Sequence, residues 1–192
     1  MSKGRLEAFS DGVIAVIITI MVLDLRAPQD GTLSALRSLL PKFLSYVLSF
    51  IFLGIYWNNH HHLWQAVKGV NGGILWANMH LLFWLSLIPF TTSWMGEHFS
   101  TIPVALYGGV LWFSGLAYYI MVRALLSHHG QDSLLAAAIG NKQKEMLSIY
   151  IYTAAVPLAF VAAWISALLY VVVAIMWLVP DRRIETKLRE KR

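Results

Sequence analysis

The stretch Leu6–Leu25 reads LEAFSDGVIAVIITIMVLDL, and it carries no charged side chain between Gly12 and Leu23. A helix needs about 20 mostly apolar residues to cross the hydrocarbon core of a bilayer, and this stretch has that length. It therefore predicts a transmembrane helix. Asp11 lies inside the stretch, and we expect it to hydrogen-bond to another helix because ionisable groups in spanning helices tend to face protein or water.

The composition of the whole chain agrees with a membrane protein. The 192 residues are 58% hydrophobic and 13% charged, whereas a soluble domain usually carries about 25% charged residues. The chain has no cysteine, which excludes disulfides and thiolate metal sites. The basic residues that give the net charge of +5 lie in loops and in the tail, which indicates membrane topology rather than nucleic-acid binding.

Five further apolar segments give an all-α polytopic protein of six transmembrane helices in one domain, residues 1–192. Met146–Val179 has 34 residues, too many for one crossing, so we divide it by a tight turn near Phe160–Trp164. The predicted spans are residues 6–25, 41–67, 72–95, 102–126, 146–161 and 164–179, followed by a basic cytoplasmic tail at 180–192.

The distribution of lysine and arginine tests this number of spans. Six spans with both termini in the cytoplasm place 12 of these 15 residues inside, and leave only Arg26, Arg37 and Lys42 outside. Short cytoplasmic loops carry the excess of positive charge, so this arrangement fits. Five spans would put the tail outside and give 6 positive charges inside against 9 outside.

Polar residues of the first three spans lie at similar depth. Asp11, His60 or His61, and Asn78 are all near the inner ends of their helices, and a buried amide needs hydrogen-bond partners. We therefore predict a polar cluster that joins the three helices. His60, His61 and His62 point about 100° apart on a helix, so they do not converge on one metal ion. Metal binding here, as in an intramembrane enzyme, is the less favoured alternative, and we predict no cofactor.

One face of the first helix is apolar. At 100° per residue, Ile20 and Leu23 lie about 40° and 20° from Val16, with Thr19 about 60° away and Asp11 about 140° away. In several copies around an axis, this stripe would form a narrow hydrophobic constriction, which is a known gating device. The residues alone favour an ordinary packing or lipid-facing surface. Motifs of the GxSxG, GxGxxG and P-loop types are absent from the sequence, so we do not predict an enzyme.

A short motif adds to this interpretation. Arg5, Phe9, Ser10 and Asp11 form RxxxFSD at the start of the first helix. The motif resembles the signature of the transmembrane-protein-175 family of bacterial and endolysosomal potassium channels. Further similarities are a WxxHH pattern in the second span, Asn78 in the third, and Pro89-Phe90 at the outer end of the third; WxxHH comprises Trp57, His60 and His61.

The resemblance implies a homotetramer in which the first helices line a central pore. Its constriction rings would be Val16, Ile20 and Leu23, with Thr19 adjacent. Valine stands at the innermost ring, where isoleucine or leucine is commoner in the family, which would widen that ring. A network with the second and third helices would stabilise the pore. Its members would be Arg5, Phe9, Ser10, Asp11, Trp57, His60, His61 and Asn78.

These implications give a passive, potassium-preferring cation channel in a bacterial inner membrane. Since no TVGYG segment is present, potassium selectivity would come from partial dehydration at the apolar rings and not from a carbonyl filter. The alternative is a small secondary or proton-coupled transporter that uses Asp11 and the histidines of the second span.

Overall fold

The computed structural model describes residues 2–28, 30–129 and 143–178, and the predicted tail at 180–192 lies outside these ranges. In the described residues, all regular structure is α-helical. The helices are α1 (Lys3–Leu23), α2 (Leu33–Ser38), α3 (Leu40–Gln65), α4 (Gly72–Ser86), α5 (Ile88–Glu97), α6 (Thr101–His129), α7 (Gln143–Leu158) and α8 (Ala163–Leu178).

Four helical segments of the described residues are long and apolar enough to cross a membrane: α1, α3, α6 and the joined pair α4–α5. These correspond to the first four predicted spans, with ends that differ by a few residues. The described parts of α7 and α8 have 16 residues each, or about 24 Å of helix, compared with a hydrocarbon core of roughly 30 Å.

The third predicted span, residues 72–95, contains a kink that the sequence analysis did not predict. The segment breaks at Leu87, which caps α4 and begins α5, and Pro89 lies in the first turn of α5. Proline has no N–H to donate, and its ring collides with the carbonyl one turn earlier. Both halves remain apolar, so the break is a kink within one path of 26 residues, Gly72–Glu97.

α6 organises the bundle. α4 and α5 pack against α6, as do α7 and α8. α1 packs against α3, α4 and α5. The largest fully buried side chains lie where these helices meet; they include Phe52, Trp64, Leu81, Leu85, Tyr107, Leu111 and Tyr170.

α7 and α8 form a helical hairpin whose turn, residues 159–162, lies close to the predicted Phe160–Trp164. Two hydrogen bonds join the helices. Ser166 Oγ donates to the Ala155 carbonyl at 2.7 Å, and Trp177 Nε1 donates to Ser148 Oγ at 2.8 Å. The short helix α2 was not predicted, and Thr32 caps it by accepting from the Ala35 N–H at 3.3 Å.

Candidate functional site

The two faces of α1 differ in their surroundings. Its buried residues recur at intervals of three or four, as expected for one face of a helix packed on neighbours; they are Leu6, Ser10, Ile14, Ile17 and Met21. The opposite face is exposed in the monomer. Val16, Ile20 and Leu23 are 55%, 48% and 75% exposed, and this exposed surface is what several copies of the helix could share.

The four predicted pore-lining residues all lie on this exposed face. Thr19 is the polar member, and its hydroxyl donates to the Val16 carbonyl at 2.9 Å on the same helix. The hydroxyl proton is therefore used within α1, while the oxygen keeps lone pairs that can accept from water or contact a cation. The face is otherwise apolar through Val16, Ile20 and Leu23.

A buried chain of hydrogen bonds holds α1 to α4 and α3. Asn78 of α4 donates from Nδ2 to Ser10 Oγ at 2.9 Å, and Ser10 Oγ donates to the Leu6 carbonyl at 2.9 Å. On its other side, Asn78 Oδ1 lies 2.8 Å from His60 Nε2 of α3. Ser10, His60 and Asn78 have no exposed surface, so this one amide links three helices inside the bundle.

His60 Nε2 also lies 2.7 Å from the indole N–H of Trp64. One ring nitrogen cannot donate to Asn78 and accept from Trp64 at the same time. A protonated Nε2 makes the bond to Asn78, and a bare Nε2 makes the bond to Trp64. Nδ1 of His60 is buried without a hydrogen-bond partner among the described residues. The proton on His60 therefore determines whether Nε2 bonds to Asn78 of α4 or to Trp64 within α3.

A second set of contacts joins α1 to α3 beside this buried chain. Trp57 donates from Nε1 to Asp11 Oδ1 at 3.1 Å, and His61 Nδ1 lies 3.3 Å from Glu7 Oε1. Moving four residues back along α1, from Asp11 to Glu7, moves the partner four residues forward along α3, from Trp57 to His61. This is the pairing expected for antiparallel helices. The rings of Trp57 and His61 stack with centroids 5.9 Å apart. These contacts fix the rotation of α1 about its own axis.

The structure brings six of the eight predicted network residues together. Arg5 and Phe9 are the exceptions, because both are exposed on the same side of α1 as Val16. No side-chain hydrogen bond from Arg5 is present among the described residues. Glu7 and Trp64 belong to the cluster but were missed by the sequence analysis. For Glu7 a signal was available, since Glu7 and Asp11 are spaced i, i+4, as are Trp57 and His61.

The three adjacent histidines face different partners. His60 faces Asn78 and His61 faces Glu7, while the His62 ring lies 5.8 Å from that of His61. Within the described ranges, no group of three or more histidine, cysteine, aspartate or glutamate side chains could hold a metal ion.

At the opposite end of α1, Asp24 caps the helix and lines a small cavity with Lys42, Tyr46 and Thr92. Lys42 Nζ lies 2.6 Å from Glu97 Oε1. This ion pair joins the start of α3 to the end of α5, next to the end of the exposed apolar face.

A family model, described as endosomal/lysosomal potassium channel TMEM175, matches residues 5–89. A potassium channel of Chryseobacterium sp. (strain P1-3) is 53% identical over 99% of this chain and 100% of its own length. The chain belongs to the TMEM175 family. The matched residues cover α1 through the kink at Pro89 and so include the whole polar cluster, and membership places the chain among ion channels rather than enzymes.

Other TMEM175 relatives extend the similarity. A potassium channel of Chamaesiphon minutus is 30% identical over 90% of this chain and 91% of its own. The crystal structure of a lysosomal potassium-selective channel TMEM175 homolog from the same organism has a TM-score of 0.80 and 29% identity, and the match covers 92% of this chain and 96% of that one. The human endosomal/lysosomal proton channel TMEM175 is 40% identical over 80 residues, which are 16% of its length.

Proposed function

We propose that this chain is a potassium-preferring cation channel, in which the first helices of several copies line a central pore. The observation that carries the proposal is the pair of faces on α1. One face is anchored by buried polar contacts to α3 and α4, while Val16, Thr19, Ile20 and Leu23 are exposed on the other. The names of the two bacterial relatives, both potassium channels, support potassium as the permeant ion.

The pore needs more than one copy of the chain. A single α1 cannot surround an axis, so the apolar face needs identical partners, and we propose a homotetramer. Rings of valine, isoleucine and leucine then form a dry constriction that an ion passes only after losing part of its hydration. Potassium holds its hydration shell less tightly than sodium, and this difference favours potassium at such a ring.

The membrane arrangement that accompanies this function has six crossings and both termini in the cytoplasm of a bacterium, in the cell membrane. The hairpin α7–α8 supplies the last two crossings, which are short and tolerated by local thinning of the bilayer or by flanking residues. The positive-inside distribution of lysine and arginine supports the orientation. The transporter alternative has less support, because Asp11, His60 and His61 are engaged in contacts between helices.

Ion flux from liposomes that contain the purified protein tests the proposal. Potassium, sodium and proton fluxes are compared, the last because the human relative is named a proton channel. We expect potassium flux to exceed sodium flux. Ile20→Asn places an amide in a proposed constriction ring and should change conductance or selectivity at least severalfold, because a polar ring stays wet.

Ile175→Asn is the matched control. Ile175 on α8 is 57% exposed against 48% for Ile20, so both substitutions put the same amide on an exposed helix face. Unchanged flux in Ile20→Asn, or equal changes in both variants, would contradict the pore assignment. Saturable flux that depends on a proton gradient would favour the transporter.

A further inference from the structure

Two histidines at the end of α6 hold the turn between α3 and α4. The backbone N–H groups of Lys68 and Gly69 both donate to His129 Nε2, each at 3.3 Å. Next to them, Asn71 Nδ2 lies 3.3 Å from His128 Nδ1. Three N–H donors of the α3–α4 turn thus face two imidazole nitrogens of α6.

The partners of His129 fix its protonation. Its Nδ1 lies 2.9 Å from the Leu125 carbonyl, and a carbonyl only accepts, so Nδ1 carries a proton. Nε2 faces two N–H donors, so it is bare. His129 is therefore neutral when it holds the turn.

The partners of His128 lead to the same conclusion. Asn71 caps α4, and its Oδ1 accepts from the Ile74 N–H at 2.9 Å. That contact orients the amide, so the group that faces His128 is the NH₂ donor. His128 Nδ1 must then be an acceptor, and this ring is also neutral when it holds the turn.

We propose that His128 and His129 form an acid-released latch on the α3–α4 turn, closed when both rings are neutral and open when they are protonated. A proton on either acceptor nitrogen replaces an N–H···N bond with two donors that face each other. Imidazoles commonly change charge between pH 5 and 8. Lys68 adds a positive charge on the turn, and the two rings lie 5.0 Å apart, so charged rings also repel each other and the turn. The Nδ1–H bond of His129 to the Leu125 carbonyl does not depend on the second proton, so protonation removes only the contacts with the turn.

The latch holds the start of α4, the helix that is joined to α1 by the hydrogen bond between Asn78 and Ser10. Asn71 caps α4 just before Gly72, and Asn78, two turns further along, donates to Ser10 of α1. Release of the turn therefore acts on the helix that positions α1. The consequence for ion flow rests on the proposed function: potassium flux should change when the side of the membrane that carries this turn is acidified.

Hydrogen–deuterium exchange of the full-length protein in lipid nanodiscs tests the latch directly. The protection of peptides that cover residues 66–71 is measured between pH 8 and pH 5.5, relative to an unstructured peptide of the same sequence. We expect protection to fall about tenfold with acid, as for the loss of one to two accepted hydrogen bonds. The turn at residues 98–100 serves as the internal control, because it also contains a histidine but makes no such contact to an imidazole acceptor among the described residues. An equal fall at both turns, or none at 66–71, overturns the proposal.

The double variant His128→Gln, His129→Gln is decisive, because a glutamine oxygen accepts at every pH and neither ring of the latch is left. The pH dependence of protection at 66–71 should disappear in this double variant and persist in the control His98→Gln. Retained pH dependence in the folded double variant overturns the latch. Potassium flux in the same variants is a separate readout. No flux in the wild type would refute the proposed function, while the exchange data would still decide the latch.

Discussion

Asn78→Ala tests the buried link between α1, α3 and α4. The side chain donates to Ser10 Oγ at 2.9 Å and lies 2.8 Å from His60 Nε2, and it has no exposed surface. Alanine removes both contacts and leaves a small void. Ser10 keeps its bond to the Leu6 carbonyl and His60 keeps Trp64, so neither partner is left without any contact.

The size of the effect follows from these contacts. Hydrogen bonds between transmembrane helices contribute about 0.6 kcal/mol on average and at most about 1.7 kcal/mol. Two lost bonds therefore cost about 1–3 kcal/mol, and the void adds about 1 kcal/mol. We expect Asn78→Ala to lower the free energy of unfolding by about 2–4 kcal/mol.

The matched control is Asn59→Ala on α3. The Asn59 amide donates to the Ile55 carbonyl of its own helix at 2.9 Å, and alanine is the better helix former, so the change should stay within about 0.5 kcal/mol of zero. Reversible unfolding in mixed micelles with increasing dodecyl sulfate, followed by circular dichroism, measures both variants. In a Ser10→Ala background, Asn78→Ala should cost about 0.6–1.7 kcal/mol less. Equal costs for Asn78→Ala and Asn59→Ala would refute the reasoning.

Two close approaches of helices give further predictions. A Cβ on Gly108 would overlap the Tyr170 hydroxyl and lie 2.5 Å from Cζ of that buried ring, so Gly108→Ala should destabilise the protein by about 1–3 kcal/mol in the same unfolding assay. Gly109→Ala, where a Cβ meets nothing within 4 Å, should be neutral or stabilising by up to about 1 kcal/mol, and equal effects at both positions would contradict the packing. A Cβ on Gly96 would lie 2.8 Å from Lys42 Cα, so Gly96→Ala should also cost about 1–3 kcal/mol, because backbone must move. Lys42→Gln removes only the partly exposed ion pair and should cost less than about 1 kcal/mol; a larger loss than in Gly96→Ala would show that the ion pair, and not the close approach, joins α3 to α5.

The all-α membrane fold could be predicted because its signal is local. A run of apolar residues such as Gly12–Leu23 has few structural options in a bilayer, where backbone groups must bond within their own segment. The turn near Phe160 followed in the same way from the length of the apolar stretch. The break at Leu87 was missed although Pro89 was visible, because apolarity continues on both sides of the kink and the hydropathy pattern does not register a change of direction.

The members of the cluster were harder to predict than its existence. Depth along the helix placed Asp11, His60 and Asn78 together, but depth says nothing about rotation. Arg5 and Phe9 lie on the exposed side of α1, each about 20° from Val16. Ser10 and Asp11 face α3 and α4. The four residues of the motif are therefore close in sequence but lie on two different faces of the helix. The contacts of His129 with the α3–α4 turn join residues about sixty positions apart, and no local pattern indicates them.

Polar contacts, and not apolar ones, set the rotation of α1. Lipid chains are as apolar as leucine, so burial of Ile14 or Ile17 against protein gains little over contact with lipid. A rotation by one residue, about 100°, would separate Asn78 from Ser10 and Trp57 from Asp11. Ser10 would keep the Leu6 carbonyl and Asn78 would keep His60, so the rotation would cost the two interhelical bonds, about 0.6–1.7 kcal/mol each. The same rotation would turn Val16, Ile20 and Leu23 away from the proposed pore axis. Ser10, Asp11, Trp57 and Asn78 therefore determine which side chains line the proposed pore without lining it themselves, and substitutions at these four positions should alter ion flow at a distance from the constriction.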